Sequence, residues 1–522
     1  MKQLTDAQQR KLGVILSYTH IILQVVVGML YTPFMVEMIA ENEYGLYTTI
    51  SQTAEMLGLF NMGFSASYIR FYTKFKKNEE YKRIDSFNAL FFTAFAILAA
   101  AVFITGIIIS FNLEAIFDKG LTAQEYRKAQ SMMIMLTVSM AVGFLVTVFN
   151  CFITAHQRFV FGKGMNILNV LLLLVLNLIV LLSGGKSVSL TAVHIGVAIG
   201  LNLLYVFYAF KKLHIRFDFK HIEKDLFKQV FIFSAFIAIN MIVDMVNNKI
   251  DNLIITRFCG TAVTAVYAIG AKLNGYFTTF SLAVSGVFTP HVHNIVNSYA
   301  QDSKEQRNAL TNFFVKVGRF QYLFLALILS GYIFFGKAFI SLWMGESFQP
   351  AYWIALVMMA PSIVPLTQNV GIEIQRAENR HHYRSYIYGT MAIVNLIMTV
   401  ILVPKYQGLG AAIGTGFACV VANIIIMDIV YHKKININIF AYWKNIGRQT
   451  LGMLVPFAIG AVIMHFVTIT SWVPLILWIV IYAAIYLLSV WFFSMNRYEK
   501  RTALAAVDKL LKTKLAAKYA DQ

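Results

Sequence analysis

Charge is scarce in this chain, and acidic charge scarcest. Charged residues are 13% of 522 positions, with 25 Asp and Glu against 44 Lys and Arg. A water-soluble domain of this length would need far more charge to cover its surface, so a soluble fold is excluded. Cysteine is nearly absent too. Cys151, Cys259 and Cys419 are odd in number and far apart, which leaves neither a disulfide framework nor a metal cluster to expect. Only 8 prolines interrupt the chain, so long helices are possible. No cleavable signal is expected, because the apolar run after Lys11 is too long for a signal core and has no small-residue cleavage site.

Apolar length is what the chain has in excess. Hydrophobic residues make up 58%, and mean hydropathy is +0.65. A helix crosses ~30 Å of hydrocarbon with ~20 apolar residues. Fourteen such stretches are predicted, near 12–38, 45–70, 87–110, 127–150, 164–183, 189–210, 229–256, 261–288, 312–335, 352–375, 383–403, 408–431, 448–468 and 473–494. The expected fold is an all-α polytopic membrane protein. Its parts are a segment 1–11, an N-lobe 12–210, a linker 211–228, a C-lobe 229–431, a final pair with its loop 432–494 and a basic tail 495–522.

Basic residues set the expected orientation, since loops rich in Lys and Arg stay in the cytoplasm. With the N-terminus inside, 35 of the 44 fall in inner segments and 7 in outer ones; Lys249 and Lys272 lie inside spans. Both termini are therefore expected in the cytoplasm of a bacterium, with the chain in its inner membrane. The net charge of +19 is spread over many short loops facing anionic lipid, so membrane lipids rather than nucleic acid are the expected partners. Thr5 and Gln8 have capping-box spacing, compatible with a short surface helix before the first span. Leu504, Val507, Leu511 and Leu515 share one face near the C-terminus, with Lys509, Lys512 and Lys518 elsewhere, as in an interfacial helix.

Landmarks recur about 220 residues apart: Tyr47 with Tyr267, Ser65 with Ser285, Asn202 with Asn423, and Lys211-Lys212 with Lys433-Lys434. An even number of spans separates the equivalents, so two parallel six-helix lobes are expected, related by an axis along the membrane normal.

Polar residues inside the spans are the candidate site, because a charge at a helix centre costs ~2.5 to 3.5 kcal/mol on insertion scales. Asn240, Asp244, Asn247, Asn248 and Asp251 form one stripe of span seven. Helix–helix hydrogen bonding and a cavity wall are both open to it; two carboxylates among five residues favour the wall, and could carry a coupling ion. Lys249 lies almost opposite, where snorkelling or an ion pair suits it. Lys272 and Tyr276 share a face of span eight, and Gln52 and Glu55 share one in span two at a similar depth to Lys272. His20 and Gln24 line span one with Ser17 and Tyr31, and Pro33 is placed to bend its outer end. Near the inner mouth Arg70, His156, Arg158, Arg319, Glu373 and Arg376 are candidates to meet an anionic head group, Arg70 and Arg319 foremost because they adjoin apolar helix.

Several local strings, in this order and spacing, resemble a known family: ENEYGLYTT entering span two, NMGFSASYIRF leaving it, AHQRF after span four, KIDNLIITRFCGTAVTAVYAIGAKL across spans seven and eight, FISLWMGESFQPAY after span nine and VPKYQGLGAAIGTG joining spans eleven and twelve. The chain resembles the Wzx-type polysaccharide flippases of the multidrug/oligosaccharidyl-lipid/polysaccharide exporter superfamily. That resemblance implies a V-shaped alternating-access carrier that turns an undecaprenyl-diphosphate-linked oligosaccharide from the inner to the outer leaflet. It implies no enzymatic activity and no cofactor beyond a coupling ion, Na+ or H+, with polysaccharide polymerase and glycosyltransferases as the expected protein partners. Such flippases have a cationic cavity, from which this chain departs: Lys272 is its one well-placed deep cation. A drug/cation antiporter or a lipid II flippase of the same superfamily are the alternatives, with a membrane polymerase or glycosyltransferase as the enzymatic rival. The outer connections lack the carboxylate or metal-ligand spacing that an enzyme would need.

The charge asymmetry makes a direct prediction. In a cysteine-free background, single cysteines at Glu43, Ser187 and Gly345 should react with an impermeant thiol reagent from outside the cell, and cysteines at Asn78, Ser303 and Asn379 should be protected. A reversed or mixed pattern refutes the fourteen-span topology.

Overall fold

The structure, a computed structural model, describes residues 5–61, 63–285, 288–378 and 380–511, and its secondary structure there is helical throughout. In chain order the helices are α1 (Asp6–Ile39), α2 (Glu41–Glu55), α3 (Phe64–Lys77), α4 (Tyr81–Phe111), α5 (Leu113–Phe117), α6 (Ala123–Ala155), α7 (Phe159–Leu182), α8 (Ser187–Lys211) and α9 (Lys224–Ser285). There follow α10 (Thr289–Ser298), α11 (Lys304–Met344), α12 (Pro350–Thr367), α13 (Val370–Ala377), α14 (His382–Cys419), α15 (Met427–Lys433), α16 (Ile439–Leu451), α17 (Leu454–Phe466), α18 (Trp472–Ser489) and α19 (Arg497–Leu511).

Two of these helices are hairpins. A straight helix of the 62 residues of α9 would be about 93 Å long, three times the hydrocarbon thickness. Instead the chain reverses at Gly260, whose φ of 84° and ψ of −179° suit glycine alone. The reversal brings the Tyr267 hydroxyl to 2.6 Å from the Asp251 carboxylate, although the two are 16 residues apart. In a straight helix that separation would be ~24 Å. In α14 the chain turns at Gln407, φ 53°. There a Cβ added at Gly410 would lie 2.6 Å from the carbonyl carbon of Leu402.

Ten stretches among the described residues are long and apolar enough to cross a membrane, eleven if the pair α16 and α17, bent by 45°, is one crossing. Hydropathy alone divides the chain into fourteen, and the lower count has identifiable sources. The hairpins at Gly260 and Gln407 each fall within a single counted stretch, Lys249–Leu282 and His382–Lys433. The segment from α2 to α3 is broken by a 3-10 turn, Met56–Asn61, so neither half reaches the length of a span. Side chains such as Leu30, Ile97 and Val473 point outward from their helices; Val473 is 77% exposed, as suits a lipid-facing surface and no aqueous one.

The capping box expected at Thr5 is present: the Thr5 hydroxyl accepts from the Gln8 amide at 3.3 Å, and the Gln8 side chain accepts from the Thr5 amide at 3.0 Å. It opens α1 itself rather than a separate surface helix, since no proline stands between Asp6 and Pro33 and the helix continues through Gly13, Gly28 and that proline to Ile39. Thr122 and Glu125 cap α6 in the same way. At the other end α19 begins at Arg497; the side chains of Val507, Lys509 and Leu511 and all of 512–522, where most of the expected apolar face falls, lie outside the described residues.

The chain divides into two compact units. The first runs to Ala268 and takes in Asn395–Ala411; the second is Ile269–Val394 with Ala412 onward. In the first, α6 packs between α4 and α8, and α1 lies along α7. Its core where α3 meets α4 and α6 is aromatic: Tyr68 contacts Phe87 and Phe91, and its hydroxyl donates to Asn88 at 2.6 Å. The connection from α8 to α9 is fastened beside it, with Arg83 paired to Glu80 and to Glu223 and Asn88 donating to the Arg216 carbonyl at 3.0 Å. In the second unit α11 is the central post, packed on α12, α16 and α18.

Three connections of the second unit converge on Asp302. Arg380 donates to its carboxylate at 2.7 Å, Asn436 at 3.0 Å, and Arg380 also donates to the Lys434 carbonyl at 2.7 Å. The Arg380 guanidinium holds the Asp302 carboxyl below the usual value for aspartate. A depressed carboxyl contributes stability that is present above its unfolded value of about 3.9 and is lost as pH falls through the folded one. Asp302→Asn should therefore lower the thermal midpoint of the detergent-solubilised protein at pH 7 and flatten the further loss between about pH 5 and pH 3. An unchanged acid limb would show that Asp302 is not responsible for it.

Candidate functional site

In the first unit, α2 and the first arm of the α9 hairpin hold most of the polar groups. Gln52 and Glu55 stand one turn apart at the end of α2, and Lys249 of α9 donates to the Glu55 carboxylate at 2.6 Å. Both ends of this pair are partly open, 57% for the Glu55 side chain and 36% for that of Lys249. Lys249, the residue off the main stripe, is thus in an ion pair. His194 of α8 lies within electrostatic reach of Glu55, and Lys163 of α7 within reach of His20 on α1. His20 is half-buried and Gln24, one turn on, is exposed.

The stripe of α9 ends in a buried oxygen cluster. Asp251 is 3% exposed. Its carboxylate accepts from the Tyr267 hydroxyl at 2.6 Å and faces the Thr399 hydroxyl at 3.3 Å, which is also 3.4 Å from the Asn395 side-chain oxygen. Carboxylate, phenol, hydroxyl and amide groups thus converge on one buried spot. Oxygen atoms gathered in this way can hold a hard cation or a shared proton. Asn247, one turn before Asp251, is half-buried. The side chains of Asn240, Asp244 and Asn248 lie outside the described residues.

On the charge-poor side the start of α2 touches the second arm of the hairpin. A Cβ at Gly45 would fall 1.9 Å from the Thr261 carbonyl oxygen, so only glycine allows this approach. The Thr49 and Thr256 hydroxyls, 2.7 Å apart, and those of Thr256 and Thr264, 2.8 Å apart, continue the contact.

In the second unit Lys272 and Tyr276 sit one turn apart on α9, both half-buried. The Tyr276 hydroxyl is buried without a hydrogen-bond partner among the described residues. Arg319 is placed differently from a head-group ligand. It is buried, and its guanidinium donates to both oxygens of Glu499 at 2.7 and 2.9 Å and to the Ser494 carbonyl at 3.0 Å. The pair ties α11 to the start of α19. Arg376 pairs with Glu373 within α13, and Arg70 is exposed on α3.

Sequence reading missed Asn395, Thr399, His194 and Glu499. Asn395 and Thr399 did leave a signal, two polar residues one turn apart in an otherwise apolar run; Glu499 left none, being one of several charges in a basic tail.

These are the features of a multi-pass membrane protein: long apolar helices with polar clusters enclosed among them. The fold is that of solved transporters of the MOP superfamily. It superposes on lipid II flippase MurJ in an inward closed conformation with a TM-score of 0.69, over 92% of this chain and 98% of that one at 14% identity. For an inward-facing multidrug resistance MATE family transporter of the MOP superfamily the TM-score is 0.56, over 77% and 96% at 12% identity. For the Vibrio cholerae MATE transporter VcmN it is 0.54, over 82% and 98% at 11% identity. A sequence profile described as "Polysaccharide biosynthesis protein" matches residues 11–293, more than half of the chain. The chain belongs to that family. No curated protein matches it in sequence.

Removing one partner of a buried ion pair leaves an uncompensated charge, at a cost of about 3–5 kcal/mol. Glu499→Gln should accordingly lower the unfolding midpoint of the purified protein markedly, whereas Glu373→Gln, at an exposed pair, should move it little. Equal effects of the two substitutions would contradict the structural role of Arg319.

Proposed function

We propose that this protein moves a lipid-linked oligosaccharide, carried on undecaprenyl diphosphate, across the bacterial cytoplasmic membrane by alternating access. Membership of the polysaccharide biosynthesis family over residues 11–293 is the observation that carries this reading. The family supports a substrate of polysaccharide biosynthesis, and the fold, shared with transporters and flippases, supports the manner of movement. On this reading both termini are cytoplasmic and fourteen helices cross, grouped as lobes 12–210 and 229–431. The lobes, related by an axis along the membrane normal, rock against one another so that the central path opens to each side in turn.

The polar residues divide the work by chemistry. Lys272, with Tyr276 one turn away, attracts the diphosphate or an acidic sugar, and Glu55, Gln52, Gln24, His20, Asn240, Asn247, Asn248 and Arg70 border the path. Asp251, with Asp244 two turns away on the same stripe, carries the coupling cation, Na+ or H+. The oxygens of Tyr267, Thr399 and Asn395 around Asp251 support this, because a dehydrated hard cation takes oxygen ligands.

Glycan export in cells lacking the native protein tests the assignment. Lys272→Ala should reduce export about tenfold or more while Lys272→Arg retains much of it, since a charge-assisted hydrogen bond is worth more than a factor of ten. Asp251→Asn and Asp244→Asn should weaken the dependence on the ion gradient. Membrane abundance is measured beside each activity. Normal export by Lys272→Ala at normal abundance refutes its binding role, and loss of the protein itself assigns the residue to packing.

A further inference from the structure

On the charge-rich face of the first unit, a cleft of about 700 Å³ opens between α3 and the turn that joins α6 to α7. Its size is that of a small-molecule pocket, roughly 300–1,000 Å³. Ile69, Thr73 and Lys76 stand on one face of α3 at helical spacing, with Lys77 beside them; Gln157 and Phe159 face them from the turn. The lining contains two ammonium groups and no carboxylate. Among the described residues neither Lys76 nor Lys77 forms an ion pair. The nearby acid Glu80 is already occupied, accepting from Arg83 at 2.8 Å and from Asn78 at 3.0 Å.

The turn on the other side is built rather than loose. His156 is fixed by the Tyr72 hydroxyl at 3.1 Å and the Phe152 carbonyl at 2.9 Å. Burial holds its imidazole below the usual histidine value, and the charges of Lys76 and Arg158 push the same way. The local field is therefore positive by more than one residue. Gln157 takes a left-handed backbone, φ 56°. Its side-chain oxygen and the Nε of Arg158 are buried without partners among the described residues. The first turn of α7, which has no side-chain cap, starts at Phe159 on the same cleft and adds the positive end of a helix.

We propose that this cleft binds the phosphoryl group of an amphiphile in the leaflet on the charge-rich side. Two lysines supply the charge for a phosphate, and Ile69 and Phe159 supply apolar contact for the start of its chain; a free phosphate would use the first and waste the second. Two sources share this chemistry, an anionic phospholipid head and a lipid-linked diphosphate. The site does not depend on Lys272 or on the glycan reading.

Native mass spectrometry of the full chain in detergent, titrated separately with phosphatidylglycerol and with farnesyl diphosphate, tests it. The double variant Lys76→Gln, Lys77→Gln should weaken binding of at least one of them about tenfold, and Lys76→Arg with Lys77→Arg should retain it. Thr73→Trp, which fills the cleft and leaves its charge, should weaken the same ligand, so the proposal does not hang on one variant. Weakening should be smaller at high salt, where exposed charges are screened. Loss confined to farnesyl diphosphate identifies a lipid-diphosphate site, and loss confined to phosphatidylglycerol a resident-lipid site. If the wild-type chain binds neither, or if all variants keep wild-type affinity with an unchanged melting temperature, the proposal is overturned while the transport reading is untouched.

Discussion

The hydrogen bond from Tyr267 to Asp251 joins the two arms of a helical hairpin, and it exists because the chain reverses at Gly260. In hydrocarbon there is no water to satisfy a carboxylate, so a buried aspartate needs oxygen and hydrogen partners from its own protein. The reversal supplies Tyr267, and a second hairpin, turned at Gln407, supplies Thr399 and Asn395. The approach of α2 to the hairpin at Gly45 follows from the same turn, since Thr261 immediately succeeds it. A side chain at Gly45 would push α2 away from the hairpin, and one at Gly260 would strain the reversal through its positive φ.

Elsewhere in the spans the same rule has a second solution, the ion pair. Lys249 with Glu55 is partly open, and Arg319 with Glu499 is closed. The difference in exposure separates their roles. A closed pair with every donor used is a fastening, and this one holds the C-terminal helix to the central post of the second unit. A partly open pair is held by fewer neighbours and can exchange partners more readily.

Charge at the membrane faces is organised as well as abundant. Asp302 gathers three connections of the second unit, and Arg83 joins α4 to the connection leading into α9. Lys76 and Lys77 are left outside such networks, which is why their cleft stands out on a face where positive charge is otherwise ordinary.

Much of the architecture was legible in the sequence because its causes are local. Apolar run length gives spans, the Thr5 and Gln8 spacing gives the first cap, and the spacing of Asn247 and Asp251 puts them on one face whatever surrounds the helix. The resemblance of short strings to a polysaccharide flippase family led to the family that the profile over residues 11–293 establishes. Pairing was not legible, because it joins residues far apart along the chain: Glu55 and Lys249 are separated by 194 positions, Arg319 and Glu499 by 180, Asp251 and Thr399 by 148. Periodicity says which way a side chain points from its own helix and is silent about which helix it meets. Arg319 read as a head-group ligand for that reason, and only the packing of α11 against the chain entering α19 made it a buried fastening.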